Sequence, residues 1–239
     1  MRTSLKTALF TLAVAPFITG AAQAHYLWIE QTNAGAQLFF GEVQEGVREK
    51  SPGKLDNIKA PAAAVQKARG QAFAPAEAVR KPQSFAIADS KGVAAVTVVE
   101  ESLEVKDLTR HGLGFAKSNY YARTGKTADA NAAMALDVQQ QAPSRFTVTY
   151  RGQPLANAKL EVIAPNTWVQ EHKTDAKGTV EINTPWRGQY VLHVLHVDAT
   201  PGEYQGKKYE SLRNHLTYTF VNPKGAGPGP ATPPRQAGE

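Results

Sequence analysis

Arg145-Phe146-Thr147-Val148-Thr149-Tyr150 is the stretch that decides the fold. Phe146, Val148 and Tyr150 alternate with Arg145, Thr147 and Thr149, the period of two that sends apolar side chains to one face of a strand and polar ones to the other. The turn-prone Arg151-Gly152-Gln153-Pro154 follows. Beyond it come Leu160–Ile163, the turn Thr174-Asp175-Ala176-Lys177-Gly178, Val180–Ile182, Gly188–Val197, the loop Thr200–Gly206 and a last strand at His215–Val221. Short strands separated by turn signals every 8–12 residues or so describe an antiparallel β-sandwich, not alternating β/α units. The mainly β sandwich is placed at residues 141–221.

Working outward, residues 222–239 hold Pro and Gly at half of their positions and read as a disordered tail. Residues 25–140 form an N-terminal β-rich extension packing on the sandwich. Tyr26–Ile29 and Gln37–Phe40 are two strands joined by Asn33-Ala34-Gly35, and the pair is expected to pair onto the sandwich. Ala94–Val99 is a further strand, and Ala60–Arg69, with Pro61 near its start, reads as a short helix. Residues 1–24 carry Arg2 and Lys6, an apolar run Ala8–Ala15 and the small-x-small site Ala22-Gln23-Ala24. They read as a signal peptide cleaved after Ala24, which makes the protein exported and periplasmic, with no membrane span in the mature chain.

The chain has 239 residues, a net charge of +6 and no cysteine. The basic excess is spread out rather than gathered into an Arg-rich stripe, which argues against nucleic acid. Absence of cysteine excludes thiol catalysis, iron–sulfur clusters and Cys-type zinc sites. There is no Gly-x-Ser-x-Gly, no phosphate-cradling glycine loop and no His-Glu-x-x-His, so no catalytic residue is assigned. Trp28, Trp168 and Trp186 are more simply read as core than as a sugar platform.

Cleavage after Ala24 makes His25 the first residue. Its free α-amine and imidazole Nδ1 can then close a chelate ring on one metal ion, with the amine losing a proton near neutral pH. Further imidazoles would complete a site suited to nickel, cobalt, copper or zinc. His193 and His196 lie three apart in a β-rich run, so they face opposite ways and cannot share an ion unless a bulge intervenes. His196 and Asp198 share a face at a strand end, where a loop begins. His193, in mid-strand, reads as a hydrogen-bonded core histidine. His215 opens the last strand and could lie beside its neighbour's end, whereas His111 and His172 sit in polar loop contexts.

Ala24-His25-Tyr26-Leu27-Trp28, Phe40-Gly41-Glu42, Arg48-Glu49 and Ser51-Pro52-Gly53-Lys54-Leu55-Asp56 together resemble an exported bacterial family described as the periplasmic component of cobalt/nickel uptake systems. Farther on, Gly152–Ala158, Thr174–Gly178 and Gly188–Leu192 are similar to a peptidase-regulatory or transthyretin-like sandwich. His196 with Asp198, Pro201-Gly202-Glu203, Gly206-Lys207-Lys208-Tyr209 and Arg213 match elements with which the family often closes. The resemblance implies an Ig-like or transthyretin-like sandwich. It also implies a non-catalytic module that captures a divalent transition metal (nickel, cobalt or copper) and delivers it to a membrane transporter. The expected ligands are His25 and His196, with His215 or Asp198 completing the shell. Two other classes stay open: a copper-dependent oxidative enzyme of the terminal-His type, and an envelope structural or adhesion sandwich without metal.

Overall fold

The structure is a computed structural model that describes residues 25–125 and 129–230. The leader expected at 1–24 and residues 231–239 of the expected tail lie outside the described residues. The fold is mainly β, as the alternation at Arg145–Tyr150 requires.

Its middle layer is a nine-stranded sheet. In order across it run Val169–Lys173, Lys159–Ile163, Gly188–Asp198, Ser211–Asn222, Phe115–Gly125, Ala95–Glu100, Ala62–Gln66 and Ala74–Ala76, with Lys106–Asp107 attached to Phe115–Gly125. Neighbours are antiparallel except Phe115–Gly125 and Ser211–Asn222, which run parallel from Ala116 beside Ser211 to Thr124 beside Thr219. A four-stranded sheet of Leu136–Ala142, Arg145–Tyr150, Gln153–Pro154 and Thr179–Glu181 covers one face. A five-stranded sheet of Tyr26–Thr32, Gly35–Glu42, Val47–Arg48, Ala78–Arg80 and Phe85–Ile87 covers the other.

Two apolar cores result, one on each side of the middle layer. Phe146 and Val148 meet Leu192, Val194, Leu216 and Tyr218 in one; Leu27, Ile29 and Phe40 meet Val96, Val98 and Val191 in the other. Gly188–Asp198 therefore does not alternate apolar with polar: Tyr190, Val191 and Leu192 follow one another, and both faces of its middle are buried. A strand buried on both faces has no polar face to show. Tyr190, Leu192 and Val194 enter one core, while Val191 enters the other and His193 stacks on Tyr26.

Three expectations change. The short helix read at Ala60–Arg69 is the strand Ala62–Gln66, because Ala63 and Val65 are buried beside Val96 and Val98 and tertiary packing overrides alanine's helix propensity. The Tyr26–Glu42 hairpin does not pair onto the sandwich. Tyr26–Ile29 are buried throughout, so the hairpin covers the central sheet face to face and is tied by Thr217 Oγ1–H donating to the Leu27 carbonyl at 2.7 Å. The start of the expected tail is held, not disordered: Asn222 ends a strand, its Nδ2 donates to the Thr184 and Trp186 carbonyls, and Arg187 N–H donates to the Ala226 carbonyl at 2.8 Å.

Candidate metal centre

Register assembles a site at the open end of the N-terminal hairpin. Tyr26 pairs with Gly41 and Gly41 with Arg48, so His25 falls opposite Glu42, and Glu49 falls opposite Phe40. The backbone bond from Glu49 N–H to the Phe40 carbonyl, 2.8 Å, fixes the second relation. Side chains of His25, Phe40, Glu42 and Glu49 accordingly share one face. Gly41 permits this close pairing, since a Cβ there would stand 2.1 Å from the Val47 carbonyl oxygen, at a φ of +148°.

His25 Nδ1 lies 3.1 Å from Glu42 Oε1 and His25 Nε2 lies 2.6 Å from Glu49 Oε1. Its ring packs on Phe40 with centroids 5.4 Å apart. Both carboxylates are buried, Glu42 at 2% exposure and Glu49 at 4%. Lys54 Nζ approaches Glu49 Oε1 at 3.3 Å, from a loop clamped by Asp56, which accepts the Ser51 hydroxyl at 2.6 Å and Gly53 N–H at 2.9 Å. Glu42 Oε1 has no hydrogen-bond partner, because the His25 contact is close but not aligned as a hydrogen bond. Burial pushes the Glu42 carboxyl above its ordinary range; His25 pulls the other way, and Glu45 and Glu49 add to the rise. A neutral imidazole has one N–H to give, yet here two carboxylates face its two nitrogens.

The four expected ligands are divided among three places. His25 is in the cluster above. His196 and Asp198 share a face, as their spacing requires, but it is the central-sheet face under the four-stranded sheet. There His196 packs on Tyr150, ring centroids 4.3 Å apart, and burial pushes its imidazole down. Asp198 accepts the Tyr150 hydroxyl at 2.8 Å and Thr200 N–H at 3.0 Å and pairs with Arg151 at 3.0 Å. Those bonds, Thr200's first, hold its carboxyl at about 2. His215 pairs with Leu195, one position from His196, and one position reverses the face. It is 4% exposed, stacked on Tyr120 at 5.1 Å, with Nδ1 3.4 Å from His193 Nε2. Burial, with His193 and Arg213, pushes it well below the usual histidine value. The expected set of His25, His196, His215 and Asp198 therefore does not converge.

His193 is the hydrogen-bonded core histidine its mid-strand place suggests, with Nδ1 3.1 Å from Glu161 Oε2. His172 is not in a loop but on the edge strand Val169–Lys173. Trp28 is core as expected, but Trp168 is 56% exposed and meets the half-buried Trp186 edge to face at 5.2 Å, because the pair lies at the sheet edge rather than between layers. Sequence reasoning singled out Phe40-Gly41-Glu42 and Arg48-Glu49 without assigning either acid a role; only the register of three short strands gathers them at His25. Among the described residues no group of three His, Asp or Glu side chains is disposed to hold a metal ion unaided. An ion at His25 needs a further donor.

The model of a family described as a domain of unknown function, DUF4198, matches residues 133–198, roughly a quarter of the chain. That segment contains His193, His196 and Asp198 but not His25, Glu42 or Glu49. No curated protein and no solved structure matches the chain.

Proposed function

We propose that the protein is a non-catalytic, exported binding module that takes up a divalent transition metal (nickel, cobalt or copper) at its mature N terminus and delivers it to a membrane uptake system. One observation carries the reading: His25, the residue that cleavage after Ala24 would expose, lies between the buried carboxylates of Glu42 and Glu49, and Glu42 Oε1 has no hydrogen-bond partner. The new α-amine is the further donor the cluster needs. Amine and Nδ1 chelate together, and Nδ1 is the ring nitrogen that faces Glu42, so Glu42 supplies an oxygen ligand. Glu49 accepts from Nε2–H and fixes the ring's tautomer and direction, the usual office of an acid behind a ligating histidine. The α-amine and the imidazole must give up protons to bind a divalent ion, which makes uptake weaker as pH falls.

Nickel and copper titrations of the mature protein between about pH 5 and 8 test this. Placing one glycine before His25 turns the amine into an amide and should weaken binding about tenfold or more, as should Glu42→Gln, whereas His172→Ala changes nothing. Equal affinity in the native and extended proteins overturns the terminal chelate, and undiminished affinity in Glu42→Gln removes the oxygen ligand.

A further inference from the structure

The central-sheet face that carries His196 also carries a groove of about 620 Å³, within the range of about 300–1,000 Å³ typical of small-molecule sites. Register builds its floor. Lys117, Asn119 and Tyr121 alternate by two along Phe115–Gly125 and so share a face, Lys117 beside Leu212 and Asn119 beside Asn214 on the parallel neighbour. The hairpin of Gly202–Tyr204 and Lys207–Tyr209 walls one side with Tyr204, and Tyr150 and Arg151 also line the groove.

Lys117 is the unusual feature. It is 5% exposed, and its ammonium donates to the Glu101 carbonyl at 2.7 Å and to Asn119 Oδ1 at 2.6 Å, with Nζ 4.4 Å from the centre of the Tyr204 ring. All three partners are neutral, and among the described residues no carboxylate oxygen lies within 4.0 Å of it. Buried charges are as a rule paired. The neighbouring acids are engaged elsewhere: Glu101 accepts the Tyr121 hydroxyl, Glu100 accepts Ala60 N–H and the Ser102 hydroxyl, and Asp198 pairs with Arg151. Burial pushes the Lys117 ammonium below its usual range, with Glu101 and Glu100 opposing. Glu101 and Glu203 also line the groove, so a ligand carboxylate at the Lys117 ammonium is accommodated as a monoanion, and a dianion is disfavoured. Asn119 Nδ2 donates to Asn214 Oδ1 at 3.1 Å, and the two amides with the Tyr150 hydroxyl can both give and accept hydrogen bonds, which suits hydroxyl groups.

We propose that this groove binds a small hydroxylated monocarboxylate of the sugar-acid class, its carboxylate received by Lys117 and its hydroxyls by Asn119, Asn214 and Tyr150. The proposal is independent of the metal reading, since it uses the opposite face of the sheet. Calorimetric titration of the full mature chain with glucuronate, glucose and inorganic phosphate tests it. Glucuronate should bind about tenfold or more tighter than glucose, the same ring without the acid, and tighter than phosphate. Lys117→Met should lower the glucuronate affinity about tenfold or more and leave the nickel titration unchanged. No binding of glucuronate, no preference over glucose, or tighter binding of phosphate overturns the proposal on the wild-type protein alone. So does undiminished glucuronate binding by a Lys117→Met protein that keeps the wild-type thermal transition.

Discussion

Glu42, the proposed oxygen ligand, illustrates how a residue placed for binding works against the fold that holds it. Its carboxyl is buried with one oxygen unpaired and is pushed above its ordinary range by that burial. A carboxyl whose pKa rises on folding binds its proton more tightly in the folded state. Its full stability is present below the unfolded pKa, about 4.3, and is lost as pH rises through the folded value. Glu42→Gln keeps shape and removes the charge. In metal-free protein it should raise the thermal midpoint at about pH 8 by about 2–4 °C, the shift expected of roughly 1 kcal/mol in a chain of this size, with the gain vanishing near pH 4. Thermal scans at the two pH values check this, and a lower midpoint at the higher pH would mean that attraction to His25 and Lys54 outweighs burial. The same substitution should gain stability and lose metal.

At the scale of an element, Gly188–Asp198 is the strand that serves both cores, because its middle is buried on two faces. Val191 and Leu192 are adjacent, point opposite ways and enter different cores. In a strand with one wet face, one of two neighbours tolerates truncation. Here neither should: Leu192→Ala is expected to cost about 2–5 kcal/mol and Val191→Ala about 1–3 kcal/mol in urea unfolding. Val197, exposed near the strand's end, serves as the control, and Val197→Thr should stay within about 0.5 kcal/mol. A neutral Val191→Ala would mean that the N-terminal layer does not bury that face. The same two-sidedness separates His215 from His196, since their strands place neighbouring register positions in different layers.

For the whole molecule, the three layers make the segment 133–198 dependent on the rest of the chain. Its core is completed by Tyr121, Leu216, Tyr218 and Phe220, all from outside it, and its strand Gly188–Asp198 takes its longest ladder from Ser211–Asn222. Residues 133–198 produced alone should therefore lack a cooperative thermal transition and a near-ultraviolet circular dichroism signal; a sharp transition would show an autonomous unit. Local pattern carried much of this architecture. The alternation at Arg145–Tyr150, the turns near Gly152 and Gly178 and the hairpin at Asn33-Ala34 were legible because period and turn chemistry act between near neighbours in sequence. The expectation for His25 is local in the same way, since it rests on a single residue following a small-x-small site. Which residues meet it was not legible. Glu42 and Glu49 reach His25 through the pairing of three strands, and Lys117 lies beside a groove formed where distant segments cross one sheet face. Sequence fixes which way a side chain turns relative to its neighbour, but not which layer lies on that side. His196 and His215 look equally available along the chain, and only the stacking of a third layer, driven by burying both faces of the central sheet, sets them apart.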